Sequence, residues 1–254
     1  VCLILVAWRV HADYPLVVAA NRDEFFARPT LPADFWTDAP DLLGGRDLDA
    51  GGTWLGCTRS GRFAALTNFR DPAGQRAGLP SRGQLTSDFL LGDSKPMAYL
   101  EQLASHAAAW NGFNLLVGDG QTLCCFSNVS GVPHALAPGV YGLSNHLLDT
   151  PWPKVAAAKS ALLASLDALP DPAPLFALLR NASIHPDEQL PHTGVGLDWE
   201  RILSAAFVVA PNYGTRCSTV LLKRKDGCIT FDELTWLPGA MPGGRARFCF
   251  GLKA

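Results

Sequence analysis

Apolar residues run unbroken from Cys2 to Trp8 and again from Leu16 to Ala20. Such runs describe strands covered on both faces, since a strand with one wet face alternates. Both are expected in the middle of a sandwich. Gly51-Gly52 leads into a short strand from Thr53 to Cys57, Ser60-Gly61 makes the hairpin turn, and Phe63 to Thr67 returns antiparallel toward Asn68. A second hairpin pairs Phe113 to Val117 with Leu123 to Phe126 around Gly118-Asp119-Gly120. Closing strands are predicted at 206–210, 218–224, 228–231 and 247–250, with Tyr213-Gly214-Thr215 as a turn and Arg216 at the start of a strand.

Helical segments interrupt this pattern twice. Ser81-Arg82-Gly83-Gln84 has the Ser-x-x-Gln spacing of a capping box ahead of Leu85, Phe89 and Leu90, and a second helix is predicted from about Pro96 to Trp110. Lys154 to Leu169 is rich in alanine and leucine, opened by Pro151 and Pro153 and closed by Pro170; another helix follows from Pro172 to Arg180. Hairpins, helices, hairpins, helices and strands again predict an α+β fold, a four-layer αββα sandwich of two antiparallel sheets.

Composition narrows the setting. The 254 residues are 48% hydrophobic, and no linker, charge block or repeat divides them, so one domain over 1–254 is expected. Lys+Arg 21 against Asp+Glu 23 leaves a net charge of -2, which lacks the electrostatic footprint of a nucleic-acid binder. No apolar run reaches the ~18 residues of a membrane span, and the first is too short for a signal-peptide core. A soluble, cytoplasmic protein is expected. The seven cysteines show no C-x-x-C spacing and no H-E-x-x-H occurs, so no metal site is expected; Cys57, Cys124, Cys125, Cys228 and Cys249 read as small buried hydrophobes. Gly51-Gly52 reads as backbone geometry, since neither a Lys-Ser/Thr pair nor a helix follows it. Among the histidines only His146, beside Asn145, stands near another candidate.

Eight strings, in order, carry a family resemblance. They are the opening Cys-Leu-Ile-Leu, Ala20-Asn21-Arg22-Asp23-Glu24-Phe25, Gly51-Gly52-Thr53-Trp54-Leu55-Gly56, Ala65-Leu66-Thr67-Asn68, Asn111-Gly112-Phe113-Asn114-Leu115, Tyr141-Gly142-Leu143-Ser144-Asn145, Thr150-Pro151-Trp152-Pro153-Lys154 and Tyr213-Gly214-Thr215-Arg216. The chain resembles the NRDE family, also called the transport and Golgi organisation 2 family. That family in turn resembles the N-terminal nucleophile hydrolases of the choloylglycine hydrolase, penicillin V acylase and acid ceramidase type.

The resemblance implies a cysteine behind residue 1 that cleaves a non-peptide amide, or a thioester, through an acyl-enzyme. Removal of Val1 would give Cys2 a free α-amine of pKa near ~8 as its own base. On the same similarity Asp23 orients the amine, Asn145 offers its side-chain amide to the oxyanion, and Asn68 adds a donor. Arg216 places a cation near the thiolate or binds an anionic end of the substrate. Alternation along a strand sets Arg22 on the face opposite Asp23. Either the strand bends, or Asn21 and Asp23 face the site while Arg22 and Glu24 form an ion pair or turn elsewhere; Asp23 ranks above Arg22.

Two functions of different class follow. One is a hydrolase of a small acyl or lipid-like substrate, with no cofactor. The other is a binding or trafficking protein for haem, acyl-CoA or lipid, with the same fold and no turnover. Cys2 discriminates them.

Overall fold

The computed structural model describes residues 2–253; Val1, whose removal is expected, lies outside the described residues. Its strands are β1 (Cys2–Trp8), β2 (Leu16–Phe25), β3 (Thr30–Trp36), β4 (Ala39–Asp47), β5 (Leu55–Thr58), β6 (Phe63–Asn68), β7 (Phe113–Gly118), β8 (Leu123–Ser127), β9 (His134–Ala135), β10 (Gly139–Leu143), β11 (Tyr213–Lys223), β12 (Cys228–Leu237) and β13 (Met241–Gly251). The helices are α1 (Gly83–Leu91), α2 (Pro96–Ala104), α3 (Pro153–Ser165), α4 (Ala173–Leu179) and α5 (Leu197–Leu203). One sheet has the order β10-β1-β2-β11-β12-β13 and the other β3-β4-β5-β6-β7-β8-β9, and the pairings are antiparallel.

The unbroken runs have the expected cause. Ile4, Val6 and Trp8 of β1 and Val18 and Ala20 of β2 pack between the two sheets, against Leu55, Phe63 and Leu116. The alternate residues Leu3, Leu5, Val17 and Ala19 pack outward against Val155, Leu162, Leu175 and Leu179 of α3 and α4. On the far side, Leu85, Phe89 and Leu100 of α1 and α2 cover Leu66, Leu115 and Phe126. Three apolar layers between four layers of backbone make the αββα sandwich. Among the described residues no helix is long and apolar enough to cross a membrane.

Several local expectations are corrected. Arg82, not Ser81, is the cap of α1, and no side chain bonds the first amides, so the capping box does not form. Residues 206–210 contribute only an isolated bridge, Val209 to Gly214, because Asn21 takes the Ala206 carbonyl. Tyr213 opens β11 rather than sitting in a turn, and Arg216 falls in a bulge between Thr215 and Cys217. The β3–β4 hairpin, β10 and α5 carried no sequence expectation. Cys57, Cys124 and Cys125 are buried, whereas Cys228 is partly buried and Cys249 exposed, their Sγ atoms 3.4 Å apart on neighbouring strands.

Gly51-Gly52 is indeed backbone geometry. Gly51 has φ +79, and a Cβ on Gly52 would stand 2.4 Å from the Gly83 carbonyl carbon. The 51–53 loop is thereby pressed against the start of α1, where the Thr53 amide donates to the Gly83 carbonyl at 3.3 Å.

Candidate active site

Cys2 opens β1 and pairs in register with Arg22 of β2, so both side chains leave the sheet on its inner face. There they line a cavity of about 470 Å³, together with Trp54, Asn68, Arg82 and Asn111. Desolvation by its surroundings raises the Cys2 thiol pKa, while the Asp23 backbone amide and the Arg22 charge pull it down. At rest the thiol is protonated.

The backbone of Cys2 is held from the other neighbour. Its N–H donates to Asn145 Oδ1 at 3.2 Å and its carbonyl accepts from Ser144 Oγ at 2.9 Å. Asn145 is 2% exposed; its Nδ2 donates to the Asn68 carbonyl at 2.8 Å, and its own carbonyl accepts the Arg70 amide at 2.7 Å. The amide expected to face an oxyanion is thus engaged in fixing Asn68 beside Cys2. Asn68 itself lines the cavity.

Asn21 turns away from the cavity, whereas Asp23 lines it with Cys2 while its carboxylate is bonded toward the helical layer. Asn21 Nδ2 donates to the carbonyls of Leu179 and Ala206 at 2.7 and 2.8 Å, and its Oδ1 accepts from Ser218 Oγ at 2.6 Å. Asp23 Oδ1 accepts from Thr215 Oγ1 at 2.7 Å under the helical layer. Burial raises the Asp23 pKa to about 6, opposed by the Lys154 cation and the Thr215 hydrogen bond. Burial also lowers the Lys154 pKa to about 8, the Asp23 charge opposing; its Nζ donates to the Leu203 carbonyl at 2.8 Å. Arg22, Asp23 and Glu24 of the motif all line the cavity with Cys2, and Glu24 accepts the Phe25 amide at 2.9 Å.

Two expected site residues are not brought to the thiol. The bulge in β11 aims Arg216 at the carbonyls of Phe25 and Arg28, at 2.8 and 3.1 Å, and it lines a separate small cavity with Cys217 and Glu233. His146 sits between the rings of Phe69 and Trp152 and bonds Thr150 Oγ1 through Nδ1 at 2.8 Å. Arg28, Asp47 and Arg82, which do line the cavity, went unread in the sequence. Arg82 lay inside the supposed capping box, and the other two lie in the stretch given no elements. Among the described residues, no group of three or more His, Cys, Asp or Glu could hold a metal ion.

Comparison with known proteins gives the family and the fold. A family model described as Transport and Golgi organisation 2 matches residues 1–238. The Transport and Golgi organization protein 2 homolog of Bos taurus is 40% identical over 243 residues, 88% of this chain and 87% of its own. The Homo sapiens homolog is 39% identical over 241 residues, 87% and 86% of the two chains. Among solved structures, the C2A mutant of conjugated bile acid hydrolase from Clostridium perfringens superposes with a TM-score of 0.51 at 10% identity, covering 99% of this chain and 92% of that one. The shared fold is that of the N-terminal nucleophile hydrolases.

Proposed function

The chain belongs to the Transport and Golgi organisation 2 family, and we propose that it is an N-terminal-cysteine hydrolase of a small acyl amide or thioester. One observation carries this. The nitrogen of Cys2, and not only its thiol, is held by a buried side chain, Asn145, beside a cavity that the thiol lines. The bond that satisfies this peptide N–H would orient an amine at the same place once residue 1 is released.

Release of Val1 would turn that nitrogen into an amine. The amine takes the thiol proton, and Sγ attacks the substrate carbonyl, forming the C–S bond and an oxyanion. Asn68 is the donor for that oxyanion, since it lines the cavity while the Asn145 amide is engaged. Asn145 Oδ1 orients the amine. Asp23, ionised above about pH 6, stabilises it when protonated. Collapse of the intermediate breaks the C–N or C–S bond, and the leaving group takes the proton. Water then attacks the thioester, releasing the acid and restoring the thiol.

A second reading, a carrier of a small ligand without turnover, is favoured by the raised pKa of Cys2 and fits the transport named in the relatives' titles. Protein purified from its native host separates the two. The hydrolase requires an N-terminus at Cys2 and selective labelling of Cys2 by an acyl-directed thiol probe. An intact residue 1 together with an inert Cys2 leaves the carrier.

A further inference from the structure

The cavity lining carries Arg22, Arg28 and Arg82 together with Asp23, Glu24, Asp47 and Asp49, and these charges are unequally partnered. On one wall Arg22 and Arg28 share a single carboxylate, with Asp47 Oδ2 3.7 Å from Arg22 Nη2 and 2.5 Å from Arg28 Nε. The other oxygen of Asp47 is occupied by the amides of Asp49 and Ala50, each at 3.0 Å. Arg82, also on the lining, has no ion pair among the described residues; its one hydrogen bond there runs from Nη1 to the Gly112 carbonyl at 3.1 Å. A guanidinium carries five N–H donors in a planar fork. Four of those on Arg82 are left for whatever enters. Glu24, the carboxylate whose field acts most strongly on Arg82, uses Oε1 on the Phe25 amide.

A half-buried cation with unfilled donors, beside two more that share one counter-charge, fits a forked anionic ligand. A purely apolar acyl chain would desolvate the Arg82 guanidinium with no carboxylate to pair it. We propose that Arg82 is a specificity-determining residue that binds a carboxylate or phosphate on the acyl substrate. In taking Cys2 as the reacting group, this rests on the hydrolase reading.

Alkylation of Cys2 in the full, folded chain tests it without knowledge of the substrate. Iodoacetate and iodoacetamide both form a C–S bond with the thiolate and release iodide, and differ in charge. With rates read on the Cys2 peptide and N-acetylcysteine as reference, the iodoacetate-to-iodoacetamide ratio is expected to be about tenfold higher at Cys2. Arg82→Gln should bring it to the reference value and Arg82→Lys should restore most of it. A ratio equal to the reference, or one untouched by Arg82→Gln, overturns the proposal. Competition by inorganic phosphate or by acetate tells which anion the site prefers.

If Cys2 reacts with neither reagent, the hydrolase reading fails by itself and the anion site is read by unfolding. Phosphate at constant ionic strength should then raise the midpoint of the wild type and not of Arg82→Gln. Equal shifts, or none, overturn the proposal.

Discussion

The two faces of β2 put neighbouring residues of one tetrapeptide into opposite service. Arg22 faces inward and shares a cavity with Cys2, where donors are left over. Asn21 faces outward beneath the helices and makes three hydrogen bonds, and the Asp23 carboxylate, at the border of the two faces, is tied to Thr215. The Asn21 network extends through Ser218 to the Trp236 indole at 2.9 Å. A buried polar group is stabilising only when its bonds are made. The outer face therefore secures β2 against β11 and α4, and the inner face keeps its unfilled donors for a ligand.

Substitutions on the two faces should separate function from stability. Cys2→Ala is expected to abolish acyl-enzyme formation and to lower hydrolysis by at least ~10³-fold, because it removes the only group that forms the covalent bond. Its urea midpoint should stay near that of the wild type. A large stability loss there would erase the distinction between the faces. Asn21→Ala should do the opposite, destabilising by roughly 3 kcal/mol as the Leu179 and Ala206 carbonyls lose their donor. Chemical denaturation of the two variants side by side reads both.

Asp23 tests the border of the two faces by pH. Burial raises its pKa from the ordinary 3.8 to about 6, so between those values the folded protein holds a proton that the unfolded chain has released. Stability contributed at this site is greatest below that window and declines as pH rises through it. Relative to the wild type, Asp23→Asn should gain on the order of 2 kcal/mol between pH 4 and pH 6.5. A stability difference independent of pH would place the Asp23 carboxyl in a wetter setting. The smallest effect is expected from Ser144→Ala, at the joint between the faces, where Ser144 Oγ holds the Cys2 carbonyl. A loss of about 1 kcal/mol and a few-fold slower labelling of Cys2 should follow.

Much of the frame was legible because burial on both faces leaves a mark on composition. Cys2 to Trp8 is apolar at every position since sheet and helix cover it from either side. The β3–β4 hairpin leaves a weaker mark. Its strands mix exposed Pro32, Pro40 and Asp41 with buried Ala33, Leu42 and Leu43, and the pairing slips at two places. With it went Arg28 and Asp47, the cation and counter-ion of one cavity wall. The capping box failed for a different reason. Its first turn docks on Gly52 and Thr53, and the Gln84 and Leu85 amides donate back to the Ser81 and Arg82 carbonyls at 3.3 and 3.0 Å instead of to a serine side chain.

Sequence alone determined that β1 and β2 lie at the centre of a sandwich and that Cys2 stands at the end of one of them, and it left open whether the strand bends at Arg22 and Asp23. The two placements follow from a local rule, the apolar content of a covered strand. Which side holds the chemistry was decided only by the packing of distant segments. Helices α3 and α4 close over the outer face, the 51–53 loop and the start of α1 stand back from the inner one, and a single bulge in β11 turns Arg216 away while Arg22 remains. A face becomes a site when what covers it leaves donors unfilled, and that depends on residues far along the chain.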